Sequence, residues 1–189
     1  RRLGEIWSAA QGSLTRFCQI ATPDAPLAFE DGGLLTDARL AFETHGELSP
    51  DADNVIVVFH ALTGSQHIAG VDPVGPGNEL WREAVHTGWW DGFVGPGAAI
   101  DTTKYYVVCA NYLGGCYGST GPCSVDPQTG KPYGSRFPWP TVADTVDATF
   151  RMLDALGVET VMAVAGGSMG GMCAMDAARR YSHRVNGCI

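Results

Sequence analysis

The chain reads as an α/β protein, a mostly parallel sheet flanked by helices, on three observations. Val55-Ile56-Val57-Val58-Phe59 and Tyr105-Tyr106-Val107-Val108-Cys109-Ala110 are continuous apolar runs, the mark of strands buried on both faces of a sheet. Residues 141–157 carry apolar side chains at helical spacing. Residues 161–181 run from an apolar stretch through a turn of small residues into a second helical stretch. Strands that alternate with helices in this way close into a sheet covered by helices.

In chain order, residues 1–26 show little pattern and read as an N-terminal extension of uncertain structure. Trp7 and Arg16-Phe17-Cys18 are candidates for packing on a core. Leu27-Ala28-Phe29 followed by Asp31-Gly32-Gly33 reads as a short strand and a turn. Residues 38–44 alternate Leu40, Phe42 and Thr44 against Arg39, Ala41 and Glu43, which predicts a half-exposed strand in a hairpin with the first. After the buried strand at 55–59 come His60-Ala61-Leu62-Thr63-Gly64 and a segment to residue 100 rich in Gly, Pro and Trp. A short helix is expected there from Glu79 to His86, and Trp89-Trp90 read as packing anchors. Asn111–Pro122 has the glycines of a phosphate loop but lacks a Gly-Lys-Ser/Thr ending and a following helix. It reads instead as a ligand-facing loop at the carboxyl end of the sheet. Thr141 and Asp144 form a capping-box pair, Val142, Val146, Phe150, Leu153 and Leu156 mark one helix face, and Gly157 ends the helix. There is no internal repeat, and residues 1–189 read as one incomplete catalytic domain.

The 189 residues suffice for one domain with a real core. A formal net charge of -8 argues against nucleic acid and anionic membrane surfaces as partners. No apolar run is long enough to cross a bilayer, and a cytoplasmic location is expected. The six cysteines form no C-x-x-C, and the histidines have no ligand-like spacing, so no metal site is expected. Cys109 and Cys173 read as buried apolar residues, and Cys116 and Cys123 as free thiols.

The chemistry sits in Gly166-Gly167-Ser168-Met169-Gly170. A G-x-S-x-G motif between strand and helix has the form of a nucleophile elbow. The serine is held in a strained turn, and the flanking glycines spare a collision with the returning chain. Ser168 also stands at a helix N-terminus, where free N–H groups and the dipole favour an oxyanion. A serine nucleophile needs two oxyanion donors, a general base and an orienting acid. The donors are expected to be the backbone amides of Met169, directly after the serine, and of the His60–Thr63 loop. In this type of fold the acid and the histidine follow the serine in the chain. Only Asp176 and His183 do so here, on or just past the following helix and aimed away from the turn, so neither is assigned. His60 and His67 precede the serine, and His60 is expected to shape the oxyanion loop. The expectation is an α/β-hydrolase fold whose C-terminal part, with the acid and the base, is missing from this chain. The 189 residues alone are therefore expected to show no turnover.

Four segments together, His60-Ala61-Leu62-Thr63-Gly64, Gly95-Pro96-Gly97 before Ile100-Asp101, the Asn111–Pro122 loop and Gly166–Gly171, resemble the homoserine O-acetyltransferases, acyltransferases of the α/β-hydrolase fold. The resemblance runs from about residue 27 to the end and covers the N-terminal part of the family pattern. It implies transfer of an acetyl group from acetyl-CoA to the hydroxyl of L-homoserine, in methionine biosynthesis, through an acyl-enzyme. In this course Ser168 is the nucleophile, and the amides of Leu62 and Met169 form the oxyanion hole. It also implies acyl-CoA as co-substrate with no permanently bound cofactor, and a homodimer. Sister enzymes use succinyl-CoA or acylate serine or another alcohol, so the acyl donor and acceptor stay open. A serine esterase on the same fold is the first competing reading, and a binding module that has lost catalysis is the second.

Overall fold

A computed structural model describes all 189 residues. In chain order the strands are β1 (Ile6–Ser8), β2 (Arg16–Ala21), β3 (Leu27–Ala28), β4 (Leu34–Leu35), β5 (Ala38–His45), β6 (Val55–Phe59), β7 (Val94–Gly95), β8 (Ile100–Asp101), β9 (Tyr106–Ala110), β10 (Val125–Asp126), β11 (Lys131–Pro132) and β12 (Ala163–Gly166). The helices are α1 (Val142–Ala155) and α2 (Met169–Arg180). Six strands form the main sheet in the order β1-β2-β5-β9-β6-β12. It is a mixed sheet: β1, β2, β5 and β9 pair antiparallel in turn, while β9, β6 and β12 run parallel. The parallel half carries the site, because its strands all end on the same edge.

The two buried runs occupy the centre, as their composition predicts. Period-two alternation along β6 sends Val55, Val57 and Phe59 to one face and Ile56 and Val58 to the other, and both faces are covered. The first face packs under α1 and α2, with Val146, Phe150, Met152 and Leu153 of α1 in the larger core. The second is covered by the 65–100 segment, where Ile68, Ala69 and Val94 close the core and Trp89 and Trp90 pack against it. The capping box at α1 is made in full: the Thr141 hydroxyl accepts from the Asp144 N–H, and the Asp144 carboxylate accepts from the Thr141 N–H at 2.9 Å. Gly157 follows the C-cap with a φ of +73°, a left-handed conformation that glycine adopts without steric cost. No helix is long and apolar enough to cross a membrane.

Several expectations are corrected. Residues 1–26 contribute β1 and β2 to the main sheet, with Phe17, Cys18 and Ile20 in the interior. The 27–28 strand pairs with Leu34–Leu35 in a small hairpin of its own. The 38–45 strand lies instead between β2 and β9. Nor is that strand half exposed, since Ala41, Phe42 and Glu43 are all buried. Glu79–His86 is not a helix and holds only a single 3-10 turn at Glu83–Val85. The second helix begins at Met169, directly after the serine.

The burial of Glu43 has a specific cause. Its carboxylate accepts from the Thr15 hydroxyl at 2.8 Å and lies 2.8 Å from Nδ1 of His67, which is itself buried. Nε2 of His67 lies 2.9 Å from the His86 carbonyl oxygen. Both ring nitrogens face acceptors, so the imidazole carries two protons and forms an ion pair with Glu43. Burial by itself would lower the His67 pKa, but the hydrogen bond and charge of Glu43 outweigh it and the net shift is upward. The pair fastens the segment that follows residue 64 to the centre of the sheet.

Candidate active site

β12 ends at Gly166 and α2 begins at Met169, which leaves Gly167 and Ser168 to reverse the chain. Ser168 has φ +58° and ψ -126°, a region that side-chain-bearing residues rarely enter. The glycines make this turn possible. A Cβ on Gly166 would run into the Gly170 carbonyl and stand 2.8 Å from the Phe59 carbonyl oxygen, and one on Gly170 would run into that same Phe59 oxygen and stand 2.9 Å from that of His60. Real Cβ atoms do not approach so closely, so the turn can press against the end of β6 only with hydrogen at both positions. Ser168 is the N-cap of α2, yet its side chain makes no capping hydrogen bond. Its hydroxyl is exposed and unpartnered, held clear of the sheet.

The loop that leaves β6 lies beside this turn. His60 is buried, its Nδ1 2.6 Å from the Ala61 carbonyl oxygen, and its ring stacks on Tyr112 with centroids 3.8 Å apart. A carbonyl only accepts, so Nδ1 carries the proton. Burial lowers the His60 pKa to about 4, against a smaller upward pull from that hydrogen bond, and the ring is neutral near pH 7. The Gly64 N–H closes the turn onto Ala61 O at 2.8 Å. Leu62, 72% exposed, sits at its tip. The backbone N–H of Leu62 and that of Met169 donate to no acceptor within the protein. Leu62 and Met169 both line a cleft of about 690 Å³, with Asn111–Tyr117 on one wall and Phe137, Pro138 and Trp139 on another. The Asn111–Pro122 loop thus stands at the carboxyl end of the parallel strands, where its sequence predicts it. The lining includes no lysine or arginine.

The remaining polar candidates are elsewhere. Asp176 pairs with Arg179 at 2.8 Å, and His183 is exposed beyond the end of α2. His67 is engaged with Glu43. None of the histidines is in hydrogen-bond contact with Ser168. All six cysteines are free, Cys109 and Cys173 buried and Cys116 and Cys123 exposed. Sequence reasoning missed Tyr112, whose ring and hydroxyl both engage His60. Its only signal was its place beside Asn111, one residue past the end of a buried strand.

A strand-turn-helix elbow with a strained serine, beside a loop from the neighbouring parallel strand, defines a class. The chain belongs to the α/β-hydrolase fold family, whose sequence model matches residues 54–189. Over most of its length it is similar to homoserine O-acyltransferases. It is 50% identical over 174 residues to the homoserine O-acetyltransferase of Symbiobacterium thermophilum, covering 92% of this chain and 43% of that protein. It is 48% identical over 175 residues to the homoserine O-succinyltransferase of Comamonas testosteroni, covering 90% of this chain and 41% of that protein. Among solved structures, the homoserine O-acetyltransferase from Bacillus anthracis superposes with a TM-score of 0.77 at 31% identity, over 91% of this chain and 45% of that one. Esterase E22 superposes with a TM-score of 0.77 at 32% identity, over 96% of this chain and 46% of that one. The chain thus spans less than half the length of these relatives.

Proposed function

We propose that this chain is the nucleophile-bearing part of an acyltransferase that moves an acetyl group from acetyl-CoA to the hydroxyl of L-homoserine, an early step of methionine biosynthesis. The observation that carries the reading is the pairing of Ser168, strained and unpartnered, with the two free N–H groups of Leu62 and Met169. The Ser168 hydroxyl oxygen attacks the thioester carbonyl and gives up its proton to a general base. The carbonyl oxygen becomes an oxyanion that the amides of Leu62 and Met169 hold, in a site where fixed dipoles need no reorganisation. The carbon–sulfur bond breaks, the CoA thiolate takes a proton, and the acetyl group remains as an ester on Ser168. The homoserine hydroxyl then attacks that ester through a second oxyanion in the same hole and releases O-acetylhomoserine. The base and its orienting acid are supplied by the remainder of a longer chain, which acts in the cytoplasm as a homodimer.

Relatives named for acetyl transfer and for succinyl transfer resemble this chain to nearly the same degree, 50% and 48% identical, so succinyl-CoA is the alternative donor for the same Ser168 chemistry. The likeness to esterase E22 favours a second reading, a serine hydrolase in which water takes the place of homoserine.

The test is the intact mass of full-length protein mixed with acetyl-CoA and no acceptor. One acetyl group should appear on the peptide that contains Ser168 and disappear when homoserine is added. Acetyl that never accumulates on that peptide, while CoA is released, would sink the acyl-enzyme course.

A further inference from the structure

We propose that the Tyr112 hydroxyl is a positioning group that sets the oxyanion amides of Leu62 and Met169 in register with each other. The inference rests on the acyl-enzyme reading above. Tyr112 follows β9, the strand next to β6 in the sheet, so it reaches the end of β6 from the side. Its hydroxyl donates to the His60 carbonyl oxygen at 2.5 Å, and its ring stacks on the His60 imidazole with 19° between the planes. The same carbonyl oxygen, together with that of Phe59, abuts the elbow helix, where a Cβ on Gly170 would collide with both. The Cys173 thiol, on the next turn of α2, lies beside the Tyr112 hydroxyl. One hydroxyl therefore holds a carbonyl that lies between the two donor-bearing segments. Leu62 lies two residues after that carbonyl, and Met169 lies one residue before Gly170.

The chemistry suits the task. Tyr112 is buried, and burial pushes its phenol far above the usual tyrosine range, so it stays a donor throughout the working pH range. In a site of low dielectric this hydrogen bond is stronger than in water, and its loss leaves a buried carbonyl unsatisfied. When the carbonyl turns toward another donor, the His60–Ala61 peptide turns with it and shifts the adjoining Ala61–Leu62 peptide, which carries the Leu62 N–H. A donor displaced by a fraction of an ångström serves the ground state but not the oxyanion.

The test compares full-length parent and Tyr112→Phe, which keeps the ring stack and removes only the donor. Phosphonylation by a fluorophosphonate probe places an oxygen in the oxyanion hole whatever the natural substrate. The rate of labelling at Ser168 is expected to fall about tenfold to a hundredfold. Affinity for an alkyl trifluoromethyl ketone, bound as a hemiketal oxyanion, is expected to fall by the same factor. Binding of an unreactive thioether analogue of acetyl-CoA should stay within about twofold, a split from the labelling rate that a merely structural role would not produce. A variant carrying 3-fluorotyrosine at position 112, which retains a donor of the same shape, should label within about threefold of the parent and keeps the test open if Tyr112→Phe does not fold. Equal labelling of parent and Tyr112→Phe, or an equal loss of thioether binding, would overturn the inference. A parent that labels but ignores acetyl-CoA would overturn the acyltransferase reading and leave Tyr112 to be judged by the labelling rates. A parent that does not label at all would overturn both.

Discussion

In the full-length protein, Ser168→Ala is expected to lower the rate of the proposed acyl transfer by about six orders of magnitude, close to 8 kcal/mol of transition-state stabilisation. Removing the oxygen removes the covalent step itself, and no neighbouring hydroxyl makes contact with that position. The variant should fold as the parent does. The Ser168 side chain makes no hydrogen bond, and its strained backbone is imposed by the glycines and the end of β6 rather than by its own contacts. Release of CoA thiol from acetyl-CoA measures the loss, and the melting curve checks the fold. Turnover within about tenfold of the parent would remove Ser168 from the chemistry.

The second large effect is on stability. His67→Ala is expected to cost about 3–5 kcal/mol, because it leaves the Glu43 carboxylate buried without its partner. That is a large share of the roughly 5–15 kcal/mol that holds an ordinary domain together. Glu43 is fully buried and has no lysine or arginine to turn to; its remaining neighbours are the Thr15 hydroxyl, which donates to it, and Nε2 of His45, 3.8 Å away. Urea unfolding of parent and variant gives the number, and a difference under about 1 kcal/mol would mean that the His67–Glu43 pair contributes little to stability. The pH dependence has a definite sign. The folded His67 pKa lies above its unfolded value of about 6.5, so the pair's contribution is full below that pH and is lost as pH rises through the folded value. The parent's urea midpoint should therefore decline on the alkaline side of about pH 6.5, and Glu43→Gln should flatten that decline.

These two predictions differ in how visible their residues are in the sequence. Ser168 is legible because its signal is local: an apolar run, two obligatory glycines and a helix within about twenty residues. The central strands β6 and β9 are legible for the same reason, since burial on both faces needs an unbroken apolar run. The Glu43–His67 pair is not. A charged residue in an alternating strand reads as a solvent-facing position, and only a partner 24 positions away, brought in by the fold, makes its burial affordable. β2 is hidden because Arg16 and Gln19 interrupt its pattern, although Phe17, Cys18 and Ile20 are interior, and β1 because its three residues are too few to show one. The hairpin expected between residues 27–29 and 38–44 gives way to longer-range pairing, which no local turn signal encodes. Tyr112 lies between these cases: its loop was recognisable as ligand-facing, but its bond to the His60 carbonyl depends on the order of β9 and β6 in the sheet.

The most direct test of the central claim is CoA thiol release by the full-length protein, with acetyl-CoA or succinyl-CoA, in the presence and absence of L-homoserine. Acetyl transfer to homoserine predicts rapid release from acetyl-CoA that requires homoserine, slower release from succinyl-CoA, and none in either case with Ser168→Ala. Release that proceeds at the same rate without homoserine but still depends on Ser168 would contradict it, and would make water or a different alcohol the acceptor.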